Sequence, residues 1–131
     1  MRIAPELVEE IVAHAREGAP NECCGLVSGR EREALSVRRA PNLFASPRRF
    51  EVGGLPGLLS EIEADGEEMI GMYHSHPRSE AYPSQTDINL AWGWPGILWL
   101  ICSLAGDEPE VRCFEITDAR VDEVELEIAG A

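Results

Sequence analysis

The sequence predicts a single α/β domain, and three observations carry that prediction. Apolar residues recur at helical spacing near the start of the chain and again around residues 55–62, as amphipathic helices require. Between and after these stripes lie short apolar runs bounded by Gly, Pro, Asn and Ser, the pattern of buried strands. At 131 residues, with no internal repeat, low-complexity segment or linker, the chain has the size of one domain, spanning 1–131.

Ile3, Leu7, Ile11 and Ala15, widened by Val8 and Val12, form the stripe of a first helix. Pro5 suits its first turn and Gly18 its end. Cys23 to Ser28 reads as a short buried strand closed by Gly29-Arg30, and Ala34 to Arg38 as its hairpin partner. Residues 40–49, rich in Pro, Asn, Ser and Arg, predict a mobile surface loop, and Phe50 to Val52 a brief strand. Leu55, Leu58, Leu59 and Ile62 mark a second helix that stops near Gly66. Met69 to His74 is a strand that Pro77 ends by withholding a donor. After a loop over 78–83, Ser84 suits the N-cap of a third helix reaching about Trp92, with Asp87 in its first turn. Ile97 to Ser103 is apolar on both faces and reads as a central strand. Val111 to Ile116 and Val121 to Ile128 complete the set; Leu126 and Ile128 alternate with Glu125 and Glu127, giving the last strand one wet face.

A net charge of -13 argues against nucleic acid or an anionic membrane as partner, since both demand a basic surface. No run approaches the roughly 18 apolar residues of a membrane span, and residues 1–12 mix acids with apolar residues, unlike a signal peptide. Cys23, Cys24, Cys102 and Cys113 make no CxxC pair, which predicts buried free thiols in a reducing cytoplasm. Every positive side chain among the Lys and Arg is arginine.

Chemistry concentrates in His74-Ser75-His76-Pro77, with Ser84 and Asp87 following. Side chains two apart on a strand share a face, so His74 and His76 point the same way. Two imidazoles and a carboxylate make a three-ligand set for zinc with one position open, the composition of a catalytic site. Spacing alone leaves a second reading: two core or surface histidines, with Asp87 a helix N-terminal charge. Glu22, beside apolar Cys23 and Cys24, is a candidate general base if its surroundings raise its pKa, or else a solvated turn glutamate.

The run Pro20-Asn21-Glu22-Cys23-Cys24-Gly25-Leu26-Val27-Ser28-Gly29, with His74-Ser75-His76-Pro77, Ser84 and Asp87, resembles the JAMM (MPN-plus) metalloprotease family. That family's pattern is an upstream Glu, then His-x-His-Pro, six residues, Ser, two residues and Asp, and this chain matches it throughout. Asn42, Phe50 and the flanking strands extend the likeness over nearly the whole chain, in a compact form similar to the stand-alone prokaryotic members.

The resemblance implies an MPN, cytidine-deaminase-like fold: a mixed, curved sheet with flanking helices. It implies that His74, His76 and Asp87 hold Zn2+, that Glu22 is general base and acid, and that Ser84 helps hold the oxyanion. For Ser84 the alternative is a plain N-cap, a role that competes for the same hydroxyl. It further implies a partner, the extended C-terminal tail of a ubiquitin-like or sulfur-carrier protein, gripped as an added strand. The Glu-x-Cys-Gly start resembles bacterial peptidases that release cysteine from sulfur carriers; the alternative is an isopeptidase that removes a ubiquitin-like modifier from lysines. Tyr82 is a candidate wall of the tail passage, or an exposed loop aromatic; Arg48 and Arg49 are candidate carboxylate contacts, or a solvated pair. Trp92, Trp94 and Trp99 read as packing residues. A non-catalytic MPN scaffold would lack the ligands that this chain keeps. A zinc nucleoside deaminase would need a Pro-Cys-x-x-Cys motif that is absent.

Overall fold

The strands assemble into a single mixed sheet with the helices packed on its two faces. The computed structural model describes residues 1–128. In chain order the elements are β1 (Arg2–Ile3), α1 (Pro5–Gly18), β2 (Cys24–Arg30), β3 (Glu33–Ala40), α2 (Leu55–Ala64), β4 (Glu68–His76), α3 (Gln85–Ala91), β5 (Leu98–Ser103), β6 (Glu110–Thr117), β7 (Arg120–Val124) and β8 (Glu127–Ile128). The sheet runs β7-β6-β5-β4-β2-β3-β1-β8. Its central pair β4 and β5 is parallel, β2 and β4 are antiparallel, and β1 lies parallel to both β3 and β8.

Strand alternation divides the core in two. Val27, Tyr73, Leu100 and Cys102 face α1, which contributes Ile11 and Ala15. Leu26, Met72, Trp99 and Ile101 face the other way and pack with Ile62 of α2 and Ala91 of α3. Both faces of β2, β4 and β5 are covered, so these strands are buried almost end to end. Gly25 shows how tightly they meet. A Cβ there would collide with the Tyr73 ring and with the carbonyl oxygen of Arg38, both in adjoining strands. Gly25→Ala should therefore lower the unfolding free energy by about 2–3 kcal/mol. The measurement is a urea titration; a midpoint equal to that of the unsubstituted protein would show that ring and strand give way at no cost.

The predicted elements sit where expected except at the two ends of the chain and over residues 50–52. Ile3 belongs to a two-residue strand and not to the first helix, which starts at Pro5. The single last strand over 121–128 is broken: β7 ends at Val124, and β8 begins at Glu127 on the far edge of the sheet. Residues 125–126 can join the two outermost strands only because the sheet curls on itself. The N-terminal ammonium donates to the Glu125 carbonyl (2.9 Å), and Arg32 pairs with Glu115 (3.0 Å) across the closing gap. The strand expected at 50–52 is reduced to one bridge, Asn42 to Val52. The loop expected to be mobile over 40–49 begins after Ala40, which closes β3, and is pinned by the Asn42 side chain, whose Oδ1 accepts from the N–H groups of Phe44 and Glu51.

Candidate functional site

The site is built where β2 starts and β4 ends. Cys24 pairs with His74, and one residue further along Ser75 N–H donates to the Cys23 carbonyl (3.1 Å). Cys23 N–H donates in turn to Ser75 Oγ (2.8 Å). These two bonds tie the chain beside Glu22 to the strand that carries both histidines. The Glu22 main chain is also held from the loop side: its N–H donates to the Ser46 carbonyl (2.7 Å), and Asn42 Nδ2 donates to its carbonyl (2.9 Å).

His74, His76 and Asp87 are all buried, and one donor atom of each converges on a common point. The three separations are 3.1 Å between His74 Nε2 and His76 Nε2, 3.0 Å between His76 Nε2 and Asp87 Oδ2, and 3.1 Å between His74 Nε2 and Asp87 Oδ2. Ligands set about 2.0–2.1 Å from a tetrahedral ion stand roughly 3.3 Å apart, so the spacing fits a metal. The surroundings fix the donors. His76 Nδ1 lies 2.8 Å from the Glu80 carbonyl, which can only accept, so the proton sits on Nδ1 and Nε2 offers a lone pair. His74 stacks on Phe50 with ring centroids 4.5 Å apart, and its buried Nδ1 has no partner among the described residues.

Asp87 is placed by a reciprocal cap at the start of α3. Its Oδ2 accepts from Ser84 N–H (2.9 Å), while Ser84 Oγ accepts from Asp87 N–H (3.2 Å). This corrects the expectation that capping and oxyanion binding compete for one hydroxyl. The cap uses a lone pair of Oγ, which leaves the O–H proton free to be donated.

Charge in the site is strongly perturbed. Burial, aided by the negative charge of Asp87, pushes the Glu22 carboxyl up to about 8. Only 5% of Glu22 is exposed, and its Oε1 has no partner among the described residues, so it is not a solvated turn glutamate. Burial also pushes Asp87 upward, but the two histidines and the Ser84 N–H outweigh it and hold Asp87 well below the usual carboxylate range. Burial lowers His74; at His76 burial is outweighed by the bonds to Asp87 and the Glu80 carbonyl, and the value rises. A buried acid that keeps its proton near neutral pH, next to a preformed donor cluster, can exchange a proton with a reacting group.

Glu22, Arg48, His76, Arg78, Ser84 and Thr86 line one cleft of about 520 Å³. A larger opening of about 1100 Å³ lies at the opposite end of the sheet, where the outer strands approach. Among the described residues the only metal-competent cluster is His74, His76 and Asp87, and it does not lie there. Of the other residues singled out in the sequence, Arg48 reaches the cleft, whereas Arg49 turns over the Phe44 ring at 4.0 Å. Tyr82 packs edge-on against Phe114 (5.4 Å). Trp99 is buried as expected, but Trp92, the C-cap of α3, is exposed and does not pack as expected. All four cysteines are buried and free, and burial pushes the Cys23 thiol upward, which disfavours the thiolate. The sequence assigns no role to Ser75 or Arg78, although the resemblance implies that the loop over 78–83 lies near the site. Strand alternation places Ser75 on the face opposite the histidines, which was the one available sign that it serves the neighbouring strand and not a metal.

Residues 4–117 match the family model described as prokaryotic homologs of the JAB domain. A desampylase of Haloferax volcanii is 38% identical over 116 residues, covering 81% of this chain and 82% of the relative. A CysO-cysteine peptidase of Mycobacterium tuberculosis is 34% identical over 125 residues, covering 92% and 86%. The crystal structure of a JAB1/MPN domain protein from Archaeoglobus fulgidus superposes with a TM-score of 0.67 at 26% identity, covering 98% of each chain. Fold, donor cluster and relatives together define an enzyme of the metal-dependent peptidase class. Within that class the chain belongs to the prokaryotic JAB-domain family. Among the described residues no helix is long and apolar enough to cross a membrane.

Proposed function

We propose that this protein hydrolyses the bond between the C-terminal glycine of a ubiquitin-like or sulfur-carrier protein and the residue attached to it, with zinc as its metal and cysteine as the residue released. The observation that carries this reading is the buried carboxyl of Glu22, whose Oε1 has no partner among the described residues, beside the convergent donors of His74, His76 and Asp87. The CysO-cysteine peptidase relative supports the substrate. Four buried free thiols accord with a reducing cytoplasm.

In this reading His74, His76 and Asp87 hold the zinc. When bound, zinc supplies Lewis acidity at the scissile carbonyl and makes a coordinated water more acidic. Glu22 removes a proton from the attacking water and delivers it to the leaving nitrogen as the carbon–nitrogen bond breaks. Ser84 donates its hydroxyl proton to the oxygen on which negative charge develops. Ser84→Ala then has two separable effects: about 1 kcal/mol of stability from the lost cap, and about 100-fold in kcat from the lost donor. Denaturation and steady-state kinetics read them independently, and an unchanged kcat would remove Ser84 from the chemistry.

The deciding experiment incubates zinc-loaded protein with a carrier protein ending in Gly-Gly-Cys, with and without chelator. Mass spectrometry should show loss of one cysteine, and only in the absence of chelator. The desampylase relative supports a second reading, removal of a ubiquitin-like modifier from protein lysines. Cleavage of a lysine-linked conjugate but not of the cysteine adduct would establish that reading in place of the first.

A further inference from the structure

We propose that Arg48 and Arg78 form a carboxylate-recognition site in the catalytic cleft, which selects a leaving residue by its free α-carboxylate. The inference rests on the reading that this cleft cuts after a C-terminal glycine. It goes further by naming what is recognised on the far side of the bond.

Charge pairing and position together set these two side chains apart: among the described residues Arg16, Arg30 and Arg49 also lack an acidic partner, but none of those three lines this cleft. The chain has 24 acidic residues and 11 arginines. Arg2, Arg32, Arg38, Arg39, Arg112 and Arg120 each pair with a carboxylate. Arg48 and Arg78 are exposed, and among the described residues neither lies within ion-pair distance of an acid, although acids outnumber arginines about two to one. They come from separate loops, one between β3 and α2 and one between β4 and α3, yet line the same cleft as Glu22 and His76. An otherwise acidic surface repels an anionic substrate. Two unpaired guanidinium groups at the mouth of the reaction cleft create a local exception, and guanidinium binds carboxylate in a geometry that ammonium cannot match.

Elementary geometry says which carboxylate they can read. In a free amino acid the carboxylate carbon is two bonds from the nitrogen, about 2.5 Å away. If Glu22 protonates that leaving nitrogen, the carboxylate must lie in the same cleft. A lysine ε-nitrogen offers no such group, because the lysine main chain continues in amide bonds. The arginine pair thus favours release of a single amino acid over cleavage of a lysine isopeptide. Arg49 is excluded from the pair by its position over Phe44.

The test measures binding separately from turnover. In a zinc-loaded Glu22→Gln background, a peptide ending in Gly-Gly-Cys is offered as the free acid and as the carboxamide, with fluorescence anisotropy as readout. The acid should bind about tenfold more tightly, as expected for a charge-assisted contact. Arg48→Gln or Arg78→Gln should each reduce that ratio, and the double substitution should bring it to about one. Arg49→Gln should leave the ratio intact. Equal affinity for acid and amide would overturn the proposal. So would an acid preference that survives the double substitution, since the carboxylate would then be held by the metal. A preserved, arginine-dependent preference in a protein whose Glu22 form cleaves neither adduct would leave the carboxylate site standing and remove the hydrolytic reading instead.

Discussion

Replacing Glu22 with Gln is expected to lower kcat by about 10³-fold while making the metal-free protein more stable at alkaline pH. The amide keeps the volume and one acceptor of the carboxyl but can neither take a proton from water nor return it to a leaving nitrogen. The stability effect follows from burial. The Glu22 carboxyl is raised from 4.5 to about 8 in the folded protein, whereas an unfolded chain ionises it near its ordinary value. Between those two values the folded state holds a proton that the unfolded state has released, so stability falls as pH rises. Above about 8 both states are ionised, and the cost of burying the charge is fully expressed. Gln carries no such cost, so Glu22→Gln should gain at most about 5 kcal/mol over the parent protein at pH 9 and almost nothing at pH 4. Urea denaturation of chelated protein at several pH values checks this. A stability difference independent of pH would show that Glu22 ionises normally. A bound dication near this carboxyl favours its anion, so the acid limb of kcat/KM should lie below pH 8. Retention of zinc with full activity in Glu22→Gln would rule out its role as base.

The same burial explains which parts of the molecule could be read in advance. The helical stripe ending at Ala15 and the apolar runs of β2, β4 and β5 obey local rules, because both their faces or one full face must leave water. The spacing of His74, His76, Ser84 and Asp87 is local too: one strand end, one loop and the first turn of one helix hold them all. β1 and β8 are different. Each is two residues long, and they exist because a curled sheet brings its first and last segments side by side. No periodicity signals such pairing, and Ile3 fell naturally into the helical stripe that follows it. The resemblance places the loops over 42–49 and 78–83 near the site, but pairing Arg78 with Arg48 depends on how those two loops meet, and 30 positions separate the two residues in the sequence. Glu22 lies between these cases. Its neighbours hinted at an apolar setting, but its burial depends on the bonds between Cys23 and Ser75 that close β2 onto the end of β4.

Asp87→Asn is expected to abolish stable metal binding while leaving the fold in place. Asn retains an oxygen that can accept from Ser84 N–H, and Ser84 Oγ still accepts from the main chain, so the cap survives. What disappears is the negative charge shared by His74 Nε2 and His76 Nε2 at 3.0–3.1 Å. That charge would neutralise a dication held in a site with almost no exposure to water, where an uncompensated charge is most costly. Loss of even an outer partner of a ligand costs about 10–100-fold in affinity, so loss of the only anionic donor in the cluster should exceed about 100-fold. With zinc at 100 times its Kd the parent protein gains about 2.7 kcal/mol by linkage, and its Tm rises accordingly; the variant should show no such response. Its zinc content after dialysis should be far below one per chain, and its activity should fall to the level of chelated protein. Binding should also weaken as pH falls through the raised His76 value, because a proton on Nε2 occupies the lone pair that the metal needs. A variant that kept one zinc per chain and the parental Tm response would place the metal on other residues and dissolve the link between this cluster and the hydrolysis proposed for Glu22.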